Sequence, residues 1–235
     1  MLEQSRVTPR LAIFGARPLT VRLRFNAVAP LDLEVRVRSR GGRVMSRWTI
    51  PGAHPGPVRV SWNGLTTRGR VAPAGRYRVA VGAVGGRLRR AGSFDWRGHV
   101  YPVRGPHWFR GPVGLFGVPR SGGRRHEGFD INAACGTPVV ASRAGTVRLR
   151  RYDPVLYGNH VIVRGARERR DYWYSHLRAP ARVREGGRVR SGQVLGAVGA
   201  TGNARSVGCH LHFELRGDGG AFDPLPQLRA WDRWS

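Results

Sequence analysis

The chain has 235 residues, enough for one large domain or two small ones with a real core, and its 40% apolar content is that of a globular protein. The formal charge is +27 and lysine is absent, so all 41 basic residues are arginine, a bias that reads as genome composition. They are spread over the chain with no helix-turn-helix, finger or aromatic-basic repeat, which argues against specific nucleic-acid reading but leaves attraction to anionic polymers of an acidic cell envelope. No window approaches 18 consecutive apolar residues, so no transmembrane span is expected, and Met1 to Leu31 lacks the basic and apolar regions of a readable signal peptide.

Residues 1–18 read as an N-terminal extension. From Leu19 to Arg97 the pattern has period two: Val21, Leu23 and Phe25 alternate with Arg22 and Arg24, and Leu33, Val35 and Val37 alternate with Glu34, Arg36 and Arg38. Val58 to Trp62 and Tyr77 to Val81 repeat it, with turns at Gly41-Gly42, Pro51-Gly52, Asn63-Gly64, Ala74-Gly75 and Gly85-Gly86. Short strands at this spacing predict a β-sandwich over 19–97. Trp62-Asn63-Gly64, Gly69 and Pro73-Ala74-Gly75-Arg76-Tyr77 resemble the immunoglobulin-like domain of the FlgD flagellar hook-cap type, which implies a packing or spacer module. No catalytic constellation is visible there.

Residues 98–117 are rich in Pro, Gly and aromatics and read as an ordered connector, with His99 and His107 as bystanders. Strand signals return over 118–223 at Thr137 to Val140, Gly145 to Leu149, His160 to Val163, Tyr172 to Tyr174, Gln193 to Leu195 and the run around His210, punctuated by glycines. This predicts a compact, mostly antiparallel β domain, so the fold class is all-β. Residues 224–235 form a short tail whose Trp231 and Trp234 are expected to lie back on the body.

Three segments carry chemistry. In Cys209-His210-Leu211-His212-Phe213-Glu214-Leu215, a strand places Leu211, Phe213 and Leu215 on one face and His210, His212 and Glu214 on the other. Imidazoles two apart on a strand stand roughly 7 Å apart at Cα, so one can bind a metal while the other leans over the same pocket; a plain polar outer face has the same pattern. His126 and Asp130 would be roughly 13 Å apart on a straight strand, too far for two bonds near 2 Å, so sharing a metal needs a bend, which Gly128 can supply. A surface pair of His and Asp is the alternative. Glu127 is read as pointing away. His126, Asp130 and His212 together leave a fourth position for water, the arrangement of a catalytic rather than a structural zinc, and zinc lowers the pKa of such a water to about 7. His176 ends an aromatic strand, Tyr172 to Leu177, and gains weight because amide hydrolysis also needs a proton carrier and an oxyanion stabiliser.

His126-x-x-x-Asp130, Gly136-Thr137-Pro138-Val139, Tyr157-Gly158-Asn159, Tyr174-Ser175-His176-Leu177, Gly199-x-Thr201-Gly202 and His210-Leu211-His212-Phe213-Glu214 stand in the order of the lysostaphin/LytM-type zinc metallopeptidases, which residues 101–223 resemble. The resemblance implies a zinc endopeptidase cutting stem peptides or cross-links of bacterial peptidoglycan, with one zinc on His126, Asp130 and His212, and with His176 and His210 as non-ligand catalytic histidines. It implies zinc-activated water as nucleophile, peptidoglycan as partner, and an extracellular or envelope location; anionic wall polymers as further partners follow from the basic charge alone. A non-catalytic wall-binding regulator of the same fold is the alternative, but it predicts lost ligands, and all five residues are present. A basic envelope or nucleic-acid binder is a third reading, with affinity that collapses in salt and ignores chelators. If the ligand segments share one metal, Cys135 and Cys209 are drawn together, and a disulfide is expected, two free buried thiols being the alternative.

Overall fold

The computed structural model describes residues 2–232 and divides into two compact units, with the boundary between Gly98 and His99. The first contains β1 (Leu2–Thr8), β2 (Leu11–Ile13), β3 (Leu19–Phe25), β4 (Leu31–Ser39), β5 (Val44–Ala53), β6 (Gly56–Trp62), β7 (Gly75–Ala83) and β8 (Arg89–Arg97). They form a three-stranded sheet ordered β1-β3-β6 and a five-stranded sheet ordered β2-β8-β7-β4-β5. Period-two alternation sends Val21, Leu23 and Phe25 from one sheet, and Val35, Val37, Val79 and Val81 from the other, into a single core with Trp62, Phe94 and Trp96. Gly64 is required: its φ is +86°, and a Cβ there would come within 1.8 Å of the Trp96 ring.

Residues 1–18 are not an extension. Leu2–Thr8 pairs antiparallel with β3, setting Val7 opposite Val21. The strand is an edge whose outward residues are Gln4, Arg6 and Thr8, and its interior positions are weakly apolar, so hydrophobic alternation is nearly silent.

The second unit contains β9 (His107–Phe109), β10 (Phe129–Ala133), β11 (Pro138–Val140), β12 (Gly145–Asp153), β13 (Gly158–Gly165), β14 (Asp171–Leu177), β15 (Arg188–Val189), β16 (Val194–Ala197), β17 (His210–Gly217) and β18 (Gly220–Phe222), then α1 (Leu225–Asp232). An antiparallel sheet runs β15-β12-β13-β14-β17-β10-β9, with β18 also on β17; β11 and β16 make a separate pair. Phe129, Ile131, Val161, Val163, Tyr172, Tyr174, Leu211, Phe213 and Leu215 cover the apolar face. Burial of that face fixes strand register, because a slip of one residue would send these side chains to the polar face.

The stretch 98–117 is more than a connector. Tyr101 and Val103 are buried in the core of the second unit, and His107–Phe109 is an edge strand on β10. Three residues framed by Pro and Gly carry no readable period. His99 and His107 lie away from the histidine cluster: His99 Nε2 is 2.8 Å from the Tyr172 hydroxyl, and His107 Nδ1–H donates to the Gly105 carbonyl. The expected tail contains a helix, which buries Leu228 and stacks Trp231 on His99 at 4.8 Å. Asp223 and Pro224 ahead of Leu225 were an available start signal, and the Asp223 carboxylate accepts the Leu225 N–H at 2.9 Å. Trp234 lies outside the described residues.

Candidate metal centre

Two adjacent strands set the centre. In the antiparallel pair β10–β17, Asp130 stands directly opposite His212 and Asn132 opposite His210, while β14 brings Ser175 against His212 from the other side. Because the odd-numbered residues of β17 fill the core, His210, His212 and Glu214 share the polar face. His126 comes from the turn before β10. A Cβ on Gly128 would fall 2.7 Å from both the His212 ring and the Phe213 carbonyl, so only glycine lets the bend lie so close to β17.

His126 Nε2, Asp130 Oδ1 and His212 Nδ1 form a triangle with sides of 2.9–3.0 Å, and all three residues are buried. Their outer partners fix which atoms face inward. The Leu115 carbonyl, 2.7 Å away, takes the Nδ1–H of His126, and the Glu214 carboxylate, 2.8 Å away, takes the Nε2–H of His212. The nitrogens left facing Asp130 then carry lone pairs, so three electron-rich atoms converge with no proton of their own to separate them. Tetrahedral bonds near 2.0–2.1 Å would put ligand atoms roughly 3.3 Å apart, close to the observed triangle. This donor set fits a zinc-sized divalent cation. In the metal-free protein a proton takes that part: burial pushes the His212 imidazole down, but hydrogen bonds to Asp130 and Glu214 override it and raise the pKa to about 9. Burial opposes the Asp130 carboxylate as well, yet His126 and His212 hold it far below the usual carboxylate range.

His176 and His210 flank the triangle, their rings 4.8 Å apart, with His176 also 5.7 Å from His212. A bulge between β13 and β14 puts His176 at φ +62°, a strained conformation for a non-glycine residue, costing about 1–2 kcal/mol. Its Nδ1–H donates to the Thr201 carbonyl at 2.8 Å, leaving Nε2 as a lone pair toward the cluster. Burial, then the neighbouring His212 and His210, push the His176 pKa down to about 3, so the ring is neutral near pH 7. Burial lowers His210 too. His210 Nδ1 lies between the Arg110 guanidinium at 3.0 Å and the Gly208 carbonyl at 2.9 Å, and its Nε2 is 3.9 Å from Asp130.

The structure therefore brings His126, Asp130, His176, His210 and His212 together in one cleft of about 660 Å³. Other residues complete the cleft. Glu214, fully buried, links His212 to Arg216, whose guanidinium sits on Trp173 at 4.2 Å and pairs with Glu127 at 2.6 Å. Glu127 thus points away from the triangle and is bound at the rim. Arg110 and Arg120 also line the cleft; Arg120 is held by the Val113 carbonyl at 2.8 Å and lies 3.5 Å from Asp130. A lone arginine in an arginine-rich chain gives no signal, although carrying the alternation of His212 and Glu214 one step further along the strand face reaches Arg216. Cys135 and Cys209 form a disulfide with Cα atoms 5.4 Å apart, tying the loop after β10 to the start of β17.

Residues 124–224 match the family model described as Peptidase family M23. The chain is 34% identical over 159 residues to the L-Ala--D-Glu endopeptidase of Bacillus subtilis, covering 61% of this chain and 47% of that protein. It is 39% identical over 116 residues to the DD-carboxypeptidase/endopeptidase Mpg of Neisseria meningitidis, covering 47% of this chain and 26% of that one. The match therefore spans about half of the first relative and a quarter of the second. The solved catalytic domain of lysostaphin from Staphylococcus simulans aligns with 53% of this chain and 92% of its own length, at 28% identity and a TM-score of 0.46. Over residues 124–224 the second unit is thus similar to peptidase family M23.

Proposed function

We propose that the chain is a zinc metalloendopeptidase acting on peptide bonds of bacterial peptidoglycan, in the stem peptide or its cross-link, with one zinc per chain on His126, Asp130 and His212. The observation that carries this reading is the buried 2.9–3.0 Å triangle whose outer hydrogen bonds turn three lone pairs inward. Zinc held there supplies Lewis-acid chemistry, polarising the scissile carbonyl and acidifying a water.

The protein's own groups supply the rest. His176, neutral and with its Nδ1 proton committed to Thr201, is the acceptor for the proton of the attacking water and its donor to the leaving amine. His210, on the same side, hydrogen-bonds the oxygen that gains charge. Glu214, anchored by Arg216, holds the His212 ring in one tautomer. The basic cleft around Arg110 and Arg120 suits a peptide that carries free carboxylates near the scissile bond. The names of the two relatives point to different bonds, L-Ala–D-Glu in one and a DD bond in the other. An envelope or extracellular location follows from that substrate and agrees with the disulfide.

For the first unit the immunoglobulin-like, FlgD-type reading is supported by two sheets on one core and by the Tyr77 hydroxyl donating to the Pro73 carbonyl at 2.6 Å, the geometry of a tyrosine corner.

Chelation tests the reading directly. Protein stripped of metal should lose peptidase activity on purified peptidoglycan and regain it with one equivalent of zinc; activity that survives stripping would refute it.

A further inference from the structure

The three-stranded sheet of the first unit carries a row of like charges on its outer face. In register, Arg6 stands opposite Arg22 and Arg22 opposite Arg59, so three arginines line up across β1, β3 and β6. Arg24 lies on the same face two residues along β3, since Val21, Leu23 and Phe25 take the other. Directly opposed residues stand about 5 Å apart and positions i and i+2 about 7 Å, so four guanidinium groups share a patch about 10 Å across. All four side chains are exposed, and among the described residues none makes an ion pair or a side-chain hydrogen bond. The other outward positions are Gln4, Thr8, Thr20 and Ser61, which add hydrogen-bonding groups, and Pro57, so none is a carboxylate. Glu3, the single acid of these strands, sits at the bulge where the register to β3 breaks.

The five-stranded sheet sets carboxylates among its outward arginines. Arg36 pairs with Glu34 at 2.6 Å, Arg47 approaches the same carboxylate at 3.9 Å, and Arg76 pairs with Asp95 at 2.9 Å, while Arg38, opposite Arg78, has a carbonyl partner instead. Composition bias accounts for arginine in place of lysine on both sheets, but not for carboxylates on one and none on the other. Like charges directly opposite each other destabilise a sheet, and the buried face prevents a register slip that would relieve them. A multivalent anion would convert that repulsion into binding, because guanidinium forks match phosphate oxygens.

We propose that this face binds a polyanion, specifically a wall-attached polymer of repeating phosphodiesters. No aromatic residue is on the face to stack a base, which disfavours single-stranded nucleic acid. The choice of a wall polymer over duplex DNA rests on the peptidoglycan reading above; the face itself does not.

The test measures binding of the full chain to poly(glycerol phosphate) and to duplex DNA over a salt series. The triple variant Arg6→Ser/Arg22→Ser/Arg59→Ser is compared with Arg182→Ser/Arg184→Ser/Arg190→Ser, which removes the same charge from exposed positions of the second unit. The first triple should weaken poly(glycerol phosphate) binding about tenfold or more at physiological salt and cut the log–log salt slope by about 2 to 3, while the second changes affinity less than about twofold. Without polymer, the first triple should unfold at the same or a higher temperature, since it removes repulsion. Equal losses from both triples would assign binding to the general field of the chain and overturn the site. Tighter binding of DNA than of the phosphodiester polymer, lost with the first triple, would overturn the identity of the ligand. Peptidase activity on polymer-free peptidoglycan is read in parallel: its absence would count against the peptidase and not against this face.

Discussion

At the triangle the chemistry turns on which nitrogen carries a proton. With the His212 pKa raised to about 9 in the metal-free protein, a cation must displace a proton at pH 7. Uptake should therefore release about one proton, and apparent affinity should rise about tenfold per pH unit from 7 to 9, measured by titration calorimetry in buffers of different ionisation enthalpy. Affinity independent of pH over that range would contradict the assignment. Stability of the metal-free protein follows from the same groups. His212 has a raised pKa, so its contribution is complete below 6.5 and is lost as pH climbs through about 9; His176 has a lowered pKa near 3, so its contribution is complete above 6.5 and is lost as pH falls toward 3. Metal-free unfolding midpoints should peak near pH 6.5 and decline on both sides. His176→Ala should keep the metal and lower turnover by about 10²–10⁴, whereas Glu214→Gln should weaken metal binding about 10–100-fold. The five histidine and aspartate positions were legible because their spacing carries information. Arg110 was not, since a contact made across 100 residues, as between Arg110 and His210, leaves no local pattern.

Elements place these side chains, and glycine decides how closely. Gly128→Ala would drive a methyl group against the His212 ring and the Phe213 backbone, so it should reduce metal affinity with little change in secondary structure, measured by competition with a chromogenic chelator. The disulfide closes a loop of 74 residues, which the chain-entropy account values at roughly 4 kcal/mol. Replacing both cysteines with serine should lower unfolding stability by about that amount and loosen the metal site, whose strands the bridge ties together. Strand alternation made most strands readable, and it failed where alternation is weak: the polar edge β1, the three-residue β9, and α1, which is only eight residues long. The left-handed conformation of His176 was also hidden, because it comes from a bulge against β13 and not from its neighbours in sequence.

For the whole molecule, two β units, each with its own core, carry different features: a buried His-Asp-His triangle in one and an unpaired arginine row in the other. Net charge was readable from composition, but its sorting into paired and unpaired faces needed the strand registers. Peptidoglycan cleavage by the triangle, as proposed above, is open to one direct measurement. Zinc-loaded protein should be incubated with purified peptidoglycan beside His212→Ala and His176→Ala, and the released muropeptides identified by mass spectrometry. New peptide-bond fragments should appear at full rate with the intact protein alone; His212→Ala should hold no zinc, and His176→Ala should hold full zinc with cleavage slowed by about 10²–10⁴. Intact peptidoglycan after treatment with protein shown to hold one zinc, or equal cleavage by His212→Ala, would contradict the proposed function.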